Sequence, residues 1–354
     1  MNKLPDRIRI KDIARLADVS VGTVDRVIHG RSGVSETSKK RVEEILKQLD
    51  YQPNMYASAL ASNKRYAYTC LLPKHLEGEY WTAVEKGIFD AITTYSDFNT
   101  SIQISYYDPY DYHDFVKAAD AILKEEPDGV MLAPTAPQYT KKFTERLKAK
   151  DIPYIYIDSY IKETSPLAFY GQNSHQSGYF AARMMMLLAG CEKEIVIFRK
   201  KHEGIVGSNQ QENREIGFRQ YMKEHHPSCH ILELDLYVEH NDKDAQMLDE
   251  FFRLHPNVNN GITFNSKVYI IGEYLQSRER KAFNLIGYDL LERNEMCLRQ
   301  GNVSFLIAQQ PELQGFNGIK SLCDYLIFKK EVTCINYMPI DLLTVETIDY
   351  YHSK

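Results

Sequence analysis

The residues best suited to chemistry fall into two groups. The first lies in residues 19–35, VSVGTVDRVIHGRSGVS, where Arg26 is long enough to lay a bidentate guanidinium on the O6 and N7 of a guanine, or to pair with a phosphate. Around it, the hydroxyls of Ser20, Thr23 and Ser35 can bond phosphates or cap helices. The second group is spread along the chain. Asp158, Asn265, Asp289 and Gln309 each follow an apolar strand-like run, and the adjacent rings of Tyr80 and Trp81 follow another. A polyol has neighbouring hydroxyls that both donate and accept. Carboxylates, amides and an arginine satisfy each hydroxyl, while flat rings cover the apolar C–H face. Both groups therefore point to binding rather than turnover. No G-x-G-x-x-G, P-loop or G-x-S-x-G occurs. His225, His226 and His230 sit at a Pro-Ser-Cys break without a matching carboxylate or cysteine pair, so neither a metal nor another cofactor is expected.

Positioning these groups requires more than one folding unit, and 354 residues suffice for two or three. The charge is unevenly shared: residues 1–65 carry a net +5 and the remainder −10, which suggests a polyanion partner for the head. Ile10, Ile13, Ala14 and Ala17 recur at helical spacing. Asp18-Val19-Ser20 makes a break, and Ser20 is a good N-cap for a second helix carrying Val24, Val27 and Ile28. Two short helices joined by a tight turn make a helix-turn-helix, and a third from Ser35, with Val42, Ile45, Leu46 and Leu49 on one face, closes its core. The segment YQPNMYASALASNK after it is too short and too poor in large residues to be a stable helix alone.

From Tyr66 onward, strand-like runs (YAYTCLLP, SIQISYYD, GVMLAPT, YIYIDS, EIVIFRK, HILELDLY, GITFN, NLIGYD, SFLIAQQ) alternate with amphipathic helical runs. That alternation predicts βαβ units and two doubly wound parallel sheets, with ligands held beyond the carboxyl ends of the strands. The expected division is a helix-turn-helix domain at 1–52, a hinge helix and linker at 53–65, and an α/β core at 66–354. No apolar run is long enough for a membrane span, and the charged N-terminus has no secretory apolar core, so a cytoplasmic protein is expected. The six cysteines form no C-x-x-C pair and read as reduced, structural thiols.

The head resembles the DNA-binding domain and hinge helix of the lactose repressor (LacI) family, since D-I-A, V-S, T-V-x-R-V, V-S, Y-x-P-N and A-x-x-L occur in that order. The core is similar to the type I periplasmic sugar-binding fold that the family uses for regulation. The resemblance implies that Val21, Gly22 and Arg26 meet base edges in the major groove. It adds Asn54, Ala57 and Leu60 to the DNA-binding set, with Leu60 as a wedge in the minor groove. Tyr80 and Trp81 match paired aromatics that stack on sugars, and Arg214, three residues before Gly217, stands at the effector-binding arginine's position. The implied protein is a homodimeric regulator, a repressor in most such cases. It would bind a pseudo-palindromic duplex and respond to a small polar effector, a sugar or sugar derivative.

Two departures stand out. Asp25 replaces the family's usual serine, so it must point away from phosphates, pair with Arg26 or Arg31, or accept from a cytosine amine. Asn265-Ser266-Lys267 replaces an N-D pair, and the added lysine admits an acidic or phosphorylated ligand. The rival readings are a transporter's solute-binding protein and a sugar-modifying enzyme with an appended DNA-binding head.

Overall fold

The structure is a computed structural model that describes residues 8–28, 30–51, 55–60, 62, 64–134, 136–190, 194–201, 208–237, 241–280 and 282–351. The chain divides into two compact units, 1–63 and 64–354.

The first unit holds helices α1 (Ile10–Ala17), α2 (Val21–Ile28), α3 (Glu36–Gln48) and α4 (Met55–Leu60). Asp18 turns the chain out of α1 in the left-handed conformation, and the Ser20 hydroxyl then accepts the Thr23 amide (3.1 Å) to start α2. Gly30, at φ +62°, ends α2, and the Arg31 amide returns to the Arg26 carbonyl at 2.8 Å. Ser35 caps α3 through the Ser38 amide at 3.2 Å. Ile13, Ala14, Ala17, Val24 and Val42 form the small buried core.

The second unit has two six-stranded sheets among its described residues. The first contains β1 (Tyr66–Pro73), β2 (Thr100–Tyr107), β3 (Gly129–Leu132), β4 (Tyr154–Ile157), β5 (Ala168–Gly171) and, from far along the chain, Ile335–Tyr337. The second contains β6 (Glu194–Lys201), β7 (His230–Tyr237), β8 (Asn260–Thr263), β9 (Asn284–Tyr288), β10 (Phe305–Ala308) and Asp341–Leu343. Numbering Ile335–Tyr337 as β11 and Asp341–Leu343 as β12, the orders are β11-β5-β4-β3-β1-β2 and β12-β10-β9-β8-β6-β7. All neighbours are parallel except β10 and β12. β5, β11 and β12 are three or four residues long and do not stand among the expected strands.

The chain crosses between the two lobes three times: after β5, after β10, and between β11 and β12. Gln172 sits on the first crossing. Its amide donates to the Ala308 carbonyl at 2.8 Å and the Pro339 carbonyl at 2.7 Å, so one buried side chain ties all three together.

In the second lobe, helices Ser174–Ala189 and Asn209–His225 touch through their backbones. A Cβ on Gly178 would lie 1.8 Å from the Arg214 carbonyl oxygen, and one on Gly217 would lie 1.9 Å from that of His175. Glycine at both positions lets the second helix press onto the lobe and fixes where Arg214 starts.

Candidate effector cleft and nucleic-acid interface

Parallel strands send their carboxyl ends toward the cleft, and the same device appears there in each lobe. Asp158 follows β4 at φ +67°, and Asp289 follows β9 at φ +68°. Positive φ in a residue with a Cβ is uncommon, and Asp adopts it more readily than most. Each backbone amide is held by the neighbouring strand, Asp158 by the Tyr170 carbonyl (2.9 Å) and Asp289 by that of Ile307 (3.0 Å).

A chain of hydrogen bonds joins the two carboxylate positions. Gln309 donates to Asp289 Oδ1 at 2.8 Å, and Gln210 donates to Gln309 Oε1 at 3.0 Å and to the Asp158 carbonyl at 3.0 Å. Ser159 Oγ donates to Asp158 Oδ2 at 3.0 Å. Arg214, 1% exposed, lies with its guanidinium 3.8 Å over the Tyr288 ring, and its Nη1 donates to the Phe264 carbonyl at 2.9 Å. Its Nε and Nη2, the two nitrogens on one edge of the fork, are buried without a hydrogen-bond partner among the described residues. A buried donor left unpaired costs about 1–3 kcal/mol. These are therefore groups that a polar guest would satisfy.

The electrostatics agree. Burial pushes the Asp158 carboxyl up to about 6, with the Arg214 charge and the Ser159 bond pulling it back and Asp289 adding to the rise. Asp289 is raised by burial in the same way and is likewise held down by Arg214 and Gln309. The Tyr80 phenol stays protonated because it is buried beside both carboxylates.

The structure thus brings together Tyr80, Asp158, Arg214, Asp289 and Gln309. Trp81, half-buried, stands edge-on to Tyr80 at 5.1 Å. Asn265 follows Phe264, but its Oδ1 accepts the Lys267 amide at 2.8 Å in a local turn, leaving its NH2 as the group able to face a ligand. Lys267 reaches across to Glu79 of the other lobe and makes an ion pair there. Sequence reasoning missed Gln210 and Gln172. Gln210 lies within a helix, and Gln172 follows β5, a strand that the sequence reading did not pick out.

In the head, Val21 (52% exposed), Gly22 and Arg26 lie on the open face of α2. Asp25 lies beside them and pairs with Arg31 at 3.2 Å, which selects one of the three outcomes expected for that departure. The Ser20 and Thr23 hydroxyls share a hydrogen bond of 2.9 Å, and Ser35 donates to Ser38 Oγ at 2.9 Å. Leu60 is 54% exposed on the six-residue α4. Asn54 and the side chain of Ala57 lie outside the described residues. Among the described residues no cluster of His, Cys, Asp and Glu is placed to hold a metal ion, and no helix is long and apolar enough to cross a membrane.

Two family models match the chain: bacterial regulatory proteins of the lacI family over residues 9–54, and the periplasmic binding protein domain over 69–330. The chain is similar to catabolite control protein A of Streptococcus mutans, 41% identical over 90 residues, which span 25% of this chain and 27% of that protein. It is similar to the ribose operon repressor of Halalkalibacterium halodurans, 26% identical over 298 residues and 82% of each chain. Among solved structures, a Bacteroides fragilis protein described as a LacI transcriptional regulator superposes with a TM-score of 0.80 at 71% identity, covering 82% of this chain and all (100%) of that one. A glucose-galactose binding protein from Geobacillus stearothermophilus superposes at 0.70 with 17% identity, over 80% of this chain and 99% of that one, a likeness of fold alone. With a helix-turn-helix head of the family's pattern on a two-lobed periplasmic-binding-protein core, this chain belongs to the LacI family of DNA-binding transcriptional regulators.

Proposed function

We propose that the chain is a homodimeric repressor, acting in the cytoplasm, whose affinity for a pseudo-palindromic operator is set by a sugar or sugar derivative held between the two lobes. One observation carries the effector half of this reading. The buried Arg214 fork has two nitrogens unpartnered among the described residues, near carboxylates from both lobes. The family places an effector between such lobes, and relatives named for ribose and for glucose and galactose support a sugar.

The residues divide by partner. Tyr80, Trp81 and Asp158 contribute from the first lobe, Arg214, Asn265 and Asp289 from the second, and Gln309 from a crossing. A ligand shifts a two-state protein only by binding one state better, and groups that meet it from both lobes supply that difference. In the head, Arg26 reads a guanine, Val21 and Gly22 allow close approach, and Ser20, Thr23 and Ser35 hold the helices that carry them against the phosphates. Asn54 and Ala57 belong to the hinge contact, and Leu60 is its wedge. No step of this mechanism is catalytic, and it needs no cofactor.

The test is a thermal-shift screen of the full chain against pentoses, hexoses and their derivatives, followed by operator titration with each hit. A hit that raises the melting temperature, changes Trp81 fluorescence and alters operator affinity is the expected result. Hits that bind without changing operator affinity would reject the regulatory link, and conversion of a hit to product would favour the enzyme reading.

A further inference from the structure

Beside the polyol pocket lies a second group of charges that the reading above does not use. Lys200 is the penultimate residue of β6, at the carboxyl end of the strand. β6 pairs in parallel with β8 up to Phe198 opposite Thr263, so the end of β6 that carries Lys200 runs beside the start of the loop that carries Lys267. It is 9% exposed and has no hydrogen bond or ion pair among the described residues. The charged groups it senses are Lys267 in its own lobe, Glu79 at the start of the opposite lobe's helix Tyr80–Thr94, and Asp244.

Neither carboxylate makes an ion pair with it among the described residues. Asp244 Oδ1 is taken by the Tyr237 amide at 2.9 Å. Glu79 is spent on Lys267 and on the Leu76 amide (3.1 Å), and the Lys267–Glu79 pair is only about three-quarters buried, each side chain keeping about a quarter of its surface exposed. Burial and the like charge of Lys267 push the Lys200 ammonium down to about 8, against the opposing pull of Asp244 and Glu79. A solvated lysine would show neither the burial nor the shift, and a closing latch made of Lys267 and Glu79 would leave Lys200 unexplained. Glu79 directly precedes Tyr80, and Lys267 lies three residues beyond Phe264, whose carbonyl takes Arg214. The two ammonium groups therefore stand near the pocket with the carboxylates of Glu79 and Asp244, and among the described residues only Lys267 of the two makes an ion pair, with Glu79.

We propose that Lys200 and Lys267 form an anion subsite at the edge of the polyol pocket, so that the effector is a sugar carrying a carboxylate or a phosphate rather than a neutral sugar. The inference rests on the sugar reading above and narrows its ligand class. Glu79 holds Lys267 in the absence of ligand, and the ligand's anion displaces it and also pairs Lys200. Binding then favours the protonated Lys200, so the preference for the anion weakens as pH rises from about 7 to about 9.

The experiment is isothermal titration of the full chain at low salt with matched pairs: galactose and galacturonate, glucose and glucose 6-phosphate, ribose and ribose 5-phosphate, with inorganic phosphate alone as a further arm. The anionic member of at least one pair should bind tenfold or more tightly than its neutral partner, and the winning pair separates carboxylate from phosphate. Lys267→Gln and Lys200→Gln should each remove most of that preference and change neutral-sugar affinity less than twofold. Lys267 lies in a loop with about a quarter of its side chain exposed, so its variant keeps the test decisive if the Lys200 variant does not fold. Glu79→Gln should raise affinity for the anion several-fold, because the competitor is gone. A neutral sugar that binds as well as or better than its anionic partner overturns the subsite and leaves the sugar reading intact. A Glu79→Gln variant weakened equally toward both members makes the pair a latch and also overturns the subsite. If no member of any pair binds, the sugar reading falls and the subsite with it.

Discussion

Arg26 and Arg214 are the same residue placed under opposite physical regimes. Arg26 stands in solvent on α2, among neighbours that have settled their hydrogen bonds locally: Ser20 with Thr23, Asp25 with Arg31, Ser35 with Ser38. Arg214 is 1% exposed, stacked on Tyr288, with two of its three guanidinium nitrogens unpaired among the described residues and two carboxylates near it. The head is a finished surface whose partner brings the countercharge. The cleft is a buried polar network that its own protein leaves partly unsatisfied. Substitutions in the head should therefore act on affinity and specificity alone, whereas those in the cleft should act on stability and ligand response together.

The largest effect is expected at Arg214. Replacing it with alanine removes the buried charge that holds down the Asp158 and Asp289 carboxyls and takes away the unpaired edge that a ligand would meet. Effector affinity should fall at least a hundredfold, while effector-free operator binding stays near wild type. Operator titrations with and without an effector from the screen measure both. An unchanged response at the same effector concentration would remove Arg214 from the site and end the contrast with Arg26.

Next comes a pH effect confined to the cleft. The folded Asp158 carboxyl titrates near 6, above its ordinary value, so the folded state binds the proton more tightly than the unfolded chain does. The stability this contributes is fully present below the ordinary carboxylate value and is lost as pH rises through about 6. The loss is on the order of 3 kcal/mol by pH 7, read from the two values. The melting temperature of the ligand-free chain should fall between about pH 4 and about pH 6.5 through this group, and Asp158→Asn should flatten that slope. A flat wild-type profile would mean that the Arg214 charge fully offsets burial.

For the head, Arg26→Ala should cost about 1–3 kcal/mol on the cognate site and relax preference at one symmetric pair of positions. Selected-site sequencing of wild type and variant reads this directly. Uniform weakening with unchanged base preference would make Arg26 a phosphate contact.

The same contrast explains what could be read from the sequence. The head's caps, turn and periodicity all lie within some 40 contiguous residues. Ser20, Gly30 and Ser35 act on neighbours three to five positions away, so the helix-turn-helix could be read directly. Asp158 and Asp289 could be found because they end apolar strand runs. Gln210 could not, since its importance comes from Asp158 and Gln309, 52 and 99 residues away. Gln172 is a similar case, bonding carbonyls 136 and 167 residues on. The missed strands β11 and β12 are three-residue pieces that join the sheet edges, and β5, held between β4 and β11, offers only the short run Ala168–Gly171.

The smallest expected effect tests whether the exposed side of the comparison extends to the hinge. Leu60 is 54% exposed on a helix of six residues, together with the half-exposed Met55 and Tyr56. Isolated helices so short are unstable in water, so α4 needs a partner to persist. If that partner is the minor groove, Leu60 gains the roughly 2 kcal/mol of a buried leucine, and unstacking the opened base step takes back much of it. The net loss in Leu60→Ala should therefore be modest, about 1 kcal/mol per subunit. The geometric effect should be larger than the energetic one, because without the wedge the duplex has no reason to kink. Circular-permutation gel shifts should show a reduced bend at unchanged effector affinity. Equal bending by the variant would place Leu60 against protein rather than DNA, and the hinge would then share the cleft's logic instead of the head's.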